Sequence, residues 1–248
     1  MIKATRSYGY LPGFYSPKRP STAQLIDRYV HGWEKRRTEI LKEARKKEDT
    51  PIPPTISISR KIGVGALEIA DILGKRIGHR VVDRDIIEQI ARESNLSQTT
   101  VGMFDERYPG WREEFMALLF GEKSFVKSDY NRRLFETVLS IAAIESTTFV
   151  GRGTHLILPR DRVLAVRLIC AYERRVDRLS KILGVSKAEA RSELEQVDKE
   201  QRDFFKKTFN RKDAAPDEFD MVINCDFLGE PEWVASIIER AFQEKFGH

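Results

Sequence analysis

The sequence predicts an α/β fold, a doubly wound five-stranded parallel sheet with helices on both faces. Five short β-rich runs, TISIS, RVVD, TTFVG, LAVRLIC and DMVINC, are separated by helical stretches, the alternation of a parallel sheet and its crossover helices. The runs lack the polar alternation of a sheet with one wet face, so both faces should be covered. The first run also feeds a glycine turn and an amphipathic helix between Thr55 and Gly78. In open sheets of this kind, ligands gather beyond the carboxyl ends of the strands.

Taken in order, residues 1 to about 20 are rich in Gly, Pro, Tyr and Ser without periodicity and read as an irregular arm. Ser21 or Thr22 then caps a helix whose Leu25, Ile26, Tyr29, Val30, Trp33, Ile40, Leu41 and Ala44 recur at helical spacing. That stripe needs a partner, either the main domain or a second copy of the chain in a homodimer. KKEDT and PIPP close this segment, dividing the chain into an extension, 1–50, and a main domain, 51–248. Within the main domain helices are expected from about Gly65 to Gly78, from Arg84 to Glu106, and, amphipathic, from near Tyr130 to Glu145. Three more are expected from Glu173 to Leu183, Ser186 to Phe209 and Pro231 to Phe246.

Bulk composition narrows the function classes. Hydrophobic residues at 41% and charged residues at 33% suit a globular enzyme and exclude a disordered or fibrous chain. The 43 basic and 38 acidic residues leave +5, which favours an anionic ligand but is too mixed to call for nucleic acid. Cys170 and Cys225 each end an apolar run and read as small buried side chains, not a disulfide, which fits a reducing cytoplasm. No apolar run approaches the roughly 18 to 20 residues of a membrane span, and the first 20 residues lack the apolar stretch of a secretion signal. A cytoplasmic protein away from membranes is therefore expected.

The turn after TISIS is the most informative segment. A full phosphate loop runs glycine, four free positions, glycine, lysine, then serine or threonine. Here Gly65 supplies the second glycine, Arg60 stands in place of the first, Ala66 in place of the lysine and Leu67 in place of the hydroxyl. A strand that ends in SRKIGVG and runs into a helix still offers unpaired amides to a phosphate, and Gly63 and Gly65 permit close approach. A tight strand-to-helix turn without a ligand is the other reading. Arg60 and Lys61 are the charges inside the loop that could restore the missing positive charge.

Several ordered blocks, SRKIGVGALEIADILGKRIGHRVVDRDII, FVGRGTHLIL, LICAYERRVDRL and VDKEQRDFF, together resemble the cytidylate kinase-like family over about Thr55 to Gly229. The resemblance implies a nucleoside monophosphate kinase fold of the P-loop superfamily with a helical lid, about 184–212. It implies a phosphate cradle of Ser59, Gly63, Val64, Gly65 and Ala66, with charge from Arg60 and Lys61. Asp83 resembles the acidic strand end before the monophosphate-binding helices, and Asp83 or Asp85 would meet a ribose, a base or metal-bound water. Asp83 equally suits the N-cap of the next helix. Arg152 matches the arginine that meets the acceptor phosphate, while Gly153 departs from the aspartate that follows it in that family; His155 is the nearest polar substitute.

The same resemblance makes Arg175, Arg178 and Arg202 lid cations that act on the transferring phosphoryl group, with Asp198 beside them and Gln201 where a further arginine often stands. Arg175 with Arg178, and Asp198 with Arg202, are three and four apart on helix faces, although a solvated, salt-bridged helix produces the same pattern. Trp111, Glu113, Glu114 and the stretch to Lys127 fall where a monophosphate-binding insertion belongs and carry no motif. The implied activity is phosphoryl transfer from ATP, with Mg2+, to CMP or dCMP; no metal ligand set is legible. The rivals are a catalytically inactive nucleotide-binding regulatory protein and a kinase for another small acceptor. The missing lysine and the missing carboxylate at Gly153 favour the first of these.

Overall fold

Alternate residues of β1 (Thr55–Arg60) are claimed by two different cores, which is why this strand carries no solvent-facing side. Ile56 and Ile58 enter one apolar cluster, and Ser57 and Ser59 are buried on the opposite face. The computed structural model describes residues 21–44, 52–93 and 129–247, with 95, 98, 99, 101 and 102. β1 is the centre of a sheet completed by β2 (Arg80–Asp83), β3 (Thr147–Val150), β4 (Val163–Ile169) and β5 (Met221–Asn224). Their order is β2-β3-β1-β4-β5 and every pairing is parallel. The doubly wound five-stranded sheet is thus the observed one.

Helix α1 (Thr22–Ala44) precedes β1, and α2 (Ala66–Ile77) follows it; α3 (Arg84–Arg92) and α4 (Asp129–Ile144) lie between β2 and β3. α5 (Tyr172–Leu183) and α6 (Lys187–Phe209) connect β4 to β5, and α7 (Pro231–Phe246) ends the fold. α2 and α7 cover one face of the sheet around Leu73, Val166 and Ile238. α1, α3, α4 and the second half of α6 cover the other around Phe149, Ile86, Val138 and Phe209. Ile62 and the first half of α6 form a third, smaller cluster with Val176 and Leu179 of α5. The α5–α6 hairpin therefore has one foot in the main core and one on the turn after β1.

Two helices differ from the periodicity reading. The helix expected to run from Arg84 to Glu106 leaves helical geometry at Glu93, whose N–H closes on the Gln89 carbonyl with an extended ψ; residues 95, 98–99 and 101–102 are helical again. Trp111, Glu113, Glu114 and Lys127 lie outside the described residues. α4 is amphipathic only in its first turns, because every residue from Thr137 to Ile144 is buried. Among its buried polar side chains, the Ser140 hydroxyl donates to the Glu136 carbonyl at 2.6 Å.

α1 buries Leu25, Ile26, Tyr29 and Trp33 against its own chain. The Tyr29 hydroxyl donates to the Val81 carbonyl at 2.8 Å, and the Trp33 indole N–H donates to Glu145 Oε1 at 2.6 Å. Arg80 binds the same Glu145 oxygen at 2.6 Å and lies 5.0 Å from the Tyr29 ring. These contacts cover the outer strand β2, whose free edge would otherwise be open to pairing. The stripe as far as Trp33 is thereby satisfied within one chain; the Ile40, Leu41 and Ala44 side chains lie outside the described residues.

Candidate functional site

The turn after β1 is held in a shape that only glycine takes easily. Gly63 and Gly65 have φ of 90° and 88°, left-handed values that strain any residue bearing a Cβ. A Cβ on Gly63 would stand 3.2 Å from the Arg175 carbonyl oxygen, and one on Gly65 would stand 3.1 Å from the Arg178 guanidinium carbon. The turn is thus pressed against α5. Gly65 precedes α2 and offers no side-chain cap, so the first-turn N–H groups keep their capacity for an anion.

Gly63, Val64 and Gly65 line a pocket of about 310 Å³, at the lower end of the roughly 300–1,000 Å³ usual for small-molecule sites. Arg174, Asp177, Arg178 and Lys181 of α5 and Glu68 of α2 supply its charges, and Cys170, Cys225, Leu228 and Val234 its softer wall. Arg178 Nη2 donates to Glu68 Oε2 at 2.5 Å, with both side chains about one-third exposed. Both cysteines are free. Burial pushes each thiol up to about 11, so they are protonated wall groups at neutral pH.

Adjacent charges of the turn part company. Lys61 Nζ binds Asp213 Oδ2 at 2.5 Å, Asp213 Oδ1 accepts from Arg167 at 3.2 Å, and Arg167 donates to the Ser59 hydroxyl at 2.9 Å. Burial raises the Asp213 carboxyl, but the bonds from Lys61 and the Ala214 N–H prevail and hold it below its ordinary value. Ser59 and Lys61 consequently face the segment between α6 and β5, and neither lines the pocket. Arg60 turns toward β3 instead: a Cβ on Gly151 would lie 3.8 Å from its guanidinium carbon and 3.9 Å from the Arg84 Cβ. Ala66, in the place of the missing lysine, is buried.

Beyond the carboxyl ends of β1, β2 and β3 these arginines meet Arg152. Arg152 has φ of 55°, a left-handed conformation that costs a side-chain-bearing residue about 1–3 kcal/mol and concentrates at functional sites. Its guanidinium lies 4.1 Å from the Phe204 ring centre and is ion-paired with Glu88, which also accepts from Arg92 at 3.0 Å. Arg152 Nε is buried and has no hydrogen-bond partner among the described residues. Burial first, then the charges of Arg84 and Arg60, pull this guanidinium well below its ordinary value; Asp85 and Glu200 oppose them less strongly.

Asp83 caps α3 by accepting from the Ile86 N–H at 3.0 Å and is fully enclosed. Asp85 pairs with Arg84 at 3.1 Å, and burial raises its carboxyl despite that partner. Arg175 is buried and donates to the Ile62 carbonyl at 2.7 Å and to Asp198 at 2.6 Å, while Gln201 donates to the Arg60 carbonyl at 3.1 Å. The hairpin therefore grips the turn through two of its carbonyls. Arg178 joins the pocket, but Arg202 is exposed on α6 and does not line it. His155 Nε2 donates to Glu218 Oε2 at 3.1 Å and packs 4.5 Å from the Phe219 ring; burial lowers it to about 4. It is a packing residue outside the pocket lining.

A profile of the cytidylate kinase-like family matches residues 55–226, more than half of the chain. The chain belongs to the cytidylate kinase-like family. Among solved structures it is similar to an uncharacterized protein from Eubacterium ventriosum, at 17% identity and a TM-score of 0.59, over 77% of this chain and 98% of that one. That likeness shows the fold. A shikimate kinase from Bacteroides thetaiotaomicron matches at 14% identity over 79% of this chain and 99% of that one, with a TM-score of 0.42 too low to carry an argument. None of the curated proteins matches the chain.

Family membership supports a phosphotransferase that binds nucleotides. Among the described residues no helix is long and apolar enough to cross a membrane. No three His, Cys, Asp or Glu side chains gather among those residues as a metal cage either. Such a cage is unnecessary for magnesium, which is usually held by phosphates, waters and one or two carboxylates. Glu68 and Asp177 are the carboxylates that line the pocket of this cytidylate kinase-like protein.

Sequence reasoning missed Glu68, Lys181, Arg84, Glu88 and Phe204 as parts of these two clusters. Arg84, Glu88 and Arg92 are four apart on α3, a helix-face spacing that held the signal. Nothing in the sequence marked Phe204.

Proposed function

We propose that the protein transfers the γ-phosphoryl group of ATP to a nucleoside monophosphate, with CMP or dCMP as the acceptor. The observation that carries this reading is the placement of two anion-seeking clusters on either side of one glycine turn: the pocket at the start of α2 and the buried arginines at the end of β3. The first-turn N–H groups of α2, with Arg174, Arg178 and Lys181, hold the phosphate tail of ATP, and Cys170, Leu228 and Val234 face its base and sugar. Glu68 and Asp177 are the pocket carboxylates that would hold a magnesium ion, which when bound would supply positive charge to the phosphate oxygens. Arg178 exchanges Glu68 for phosphate as the site fills.

Arg152 orients the acceptor phosphate in line, and Arg60, which ends the central strand between the two clusters, stabilises the charge that spreads as the phosphoryl group moves. Arg175 and Asp198 serve at one remove, fixing the turn and closing the hairpin over it so that water is excluded. No covalent enzyme intermediate is needed.

Purified protein with ATP, Mg2+ and a panel of nucleoside monophosphates and small hydroxyl acceptors tests this. ADP formation that requires CMP or dCMP is the expected outcome, and turnover only with another acceptor replaces the acceptor assignment. A second reading, nucleotide binding without transfer, is favoured by one observation: Ala66 is buried where the lysine belongs, and Lys61 is committed to Asp213. ATP binding with no ADP formed for any acceptor would establish that reading instead.

A further inference from the structure

β4 and β5 run parallel and stay in register to their last pair, Ile169 beside Asn224. The Cys225 N–H extends that ladder by donating to the Ile169 carbonyl at 2.8 Å. Cys170 and Cys225, the chain's only cysteines, therefore follow as neighbours across the two strand ends. Leu168 and Ile223, two residues before them, belong to the cluster under α2 and α7, and both cysteines pack with it. Side chains two apart on a strand share a face, so the two thiols point to the same side of the sheet. The segments beyond them are tied as well: the Ala171 N–H donates to Asp226 Oδ2, and Arg174 Nη1 to the Asp226 carbonyl, each at 2.6 Å. Neighbouring strands lie about 4.8 Å apart, inside the span of roughly 4.4–6.8 Å between Cα atoms that a disulfide bridges. After burial, Cys170 is the neighbour that most raises the Cys225 thiol. Both side chains line the pocket at the start of α2, which gives a small reagent a path to them.

We propose that Cys170 and Cys225 form a modification site, a dithiol that a low-molecular-weight disulfide converts to an intramolecular disulfide, and that this bond and a nucleotide in the pocket oppose each other. Cys170, the less buried of the two, gives up its proton, and its sulfur attacks the S–S bond of the reagent. One reagent sulfur leaves as a thiol with that proton, and a mixed disulfide remains on Cys170. Cys225 then attacks the Cys170 sulfur, and the second reagent sulfur leaves with the Cys225 proton. The two protein thiols thus lose two electrons and two protons, and the reagent is reduced to two thiols. The new bond closes the loop 170–225, which holds the whole α5–α6 hairpin. It also joins two strand ends in the wall of a pocket that is already small for a ligand, so the wall resists widening around a base and sugar. Because burial holds both thiols up to about 11, little thiolate is present at neutral pH, and the exchange quickens as pH rises. The opposition to nucleotide rests on this pocket as the ATP site; the disulfide itself does not.

The test equilibrates the full chain with oxidised and reduced glutathione at mildly alkaline pH, in buffer and in urea, with intact mass as the readout. Native wild type is expected to lose both thiols and two hydrogens of mass, with no glutathione retained and no dimer. Cys170→Ser and Cys225→Ser should each retain one glutathione instead, and the wild-type mass decides even where a serine variant does not fold. At one glutathione ratio the disulfide should be favoured at least about tenfold more in the native chain than in urea, and it should raise the melting temperature by several degrees. The disulfide form is expected to bind ATP about tenfold more weakly than the dithiol, and saturating ATP should shift the glutathione equilibrium toward the dithiol by the same factor. Two glutathiones retained on native wild type, dimers linked between chains, or a disulfide favoured no more in the native chain than in urea overturn the site. Equal ATP affinity in the two forms overturns the opposition to nucleotide. A native disulfide in a protein whose dithiol form binds no ATP would leave the modification site standing and remove the transfer reading.

Discussion

The pocket at the start of α2 and the arginine cluster at the end of β3 both attract anions, but they are built from different materials. The pocket is a backbone device. Its shape comes from Gly63 and Gly65, and its cations are surface groups, such as the partly exposed Arg178 already turned to Glu68. The cluster is a side-chain device in which Arg152 takes the strained backbone conformation and is nearly enclosed, with 14% of its side chain exposed. A site made of amides tolerates loss of one cation and fails when its curvature changes. A site made of buried guanidinium groups fails when one charge is removed, since the partner carboxylate is stranded. That contrast explains how a phosphate turn keeps its glycines while lacking its lysine.

Substitutions can separate the two regions, and the largest effect is expected at the cluster. Arg152→Ala should lower kcat/KM for CMP about 100- to 1,000-fold with ATP affinity intact, and should cost about 3–5 kcal/mol of stability because Glu88 loses its partner. Steady-state kinetics beside a denaturant titration reads both, and equal damage to ATP and CMP binding would erase the distinction between the regions. Arg175→Ala strands Asp198 and frees the Ile62 carbonyl, at about 3 kcal/mol of stability; the urea midpoint checks this, and an unmoved midpoint means the hairpin does not grip the turn. Gly65→Ala forces a Cβ into the left-handed region beside Arg178, a strain of about 1–3 kcal/mol. Calorimetry should show ATP affinity falling about tenfold while CMP binding without ATP is spared.

The smallest effect at neutral pH is that of His155, outside both regions. Burial lowers it from 6.5 to about 4, so the unfolded chain binds the extra proton between those values and the native one does not. This group's share of stability is present above about 6.5 and is lost as pH falls toward 4. Melting curves across that window should slope less steeply for His155→Gln than for wild type, and parallel curves would contradict the assignment.

Much of the architecture was legible because it rests on local pattern. The five β-rich runs became the five strands, and the helix ends at Ser186 and Pro231 were marked by a capping box and an N-terminal proline. The full burial of α4 was not legible, since Asn131, Thr137 and Ser140 look like a polar face until helices and sheet enclose them. The divergence of Arg60 from Lys61 was also invisible. It is decided by Asp213, far along the chain, and by the turn at Gly151. Asp198 and Arg202 share a helix face, yet Asp198 found its partner on α5 and Arg202 remained at the surface. Spacing predicts which residues share a face, and only tertiary packing decides what that face meets.

The central claim is that a phosphoryl group passes from the α2 pocket to an acceptor held at Arg152. The most direct measurement is a single-turnover experiment with γ-labelled ATP, Mg2+ and CMP, in which the label is followed into each product. The account predicts label transferred to CDP. Label that stays in ATP, or that leaves only as inorganic phosphate while CMP is bound, would contradict it.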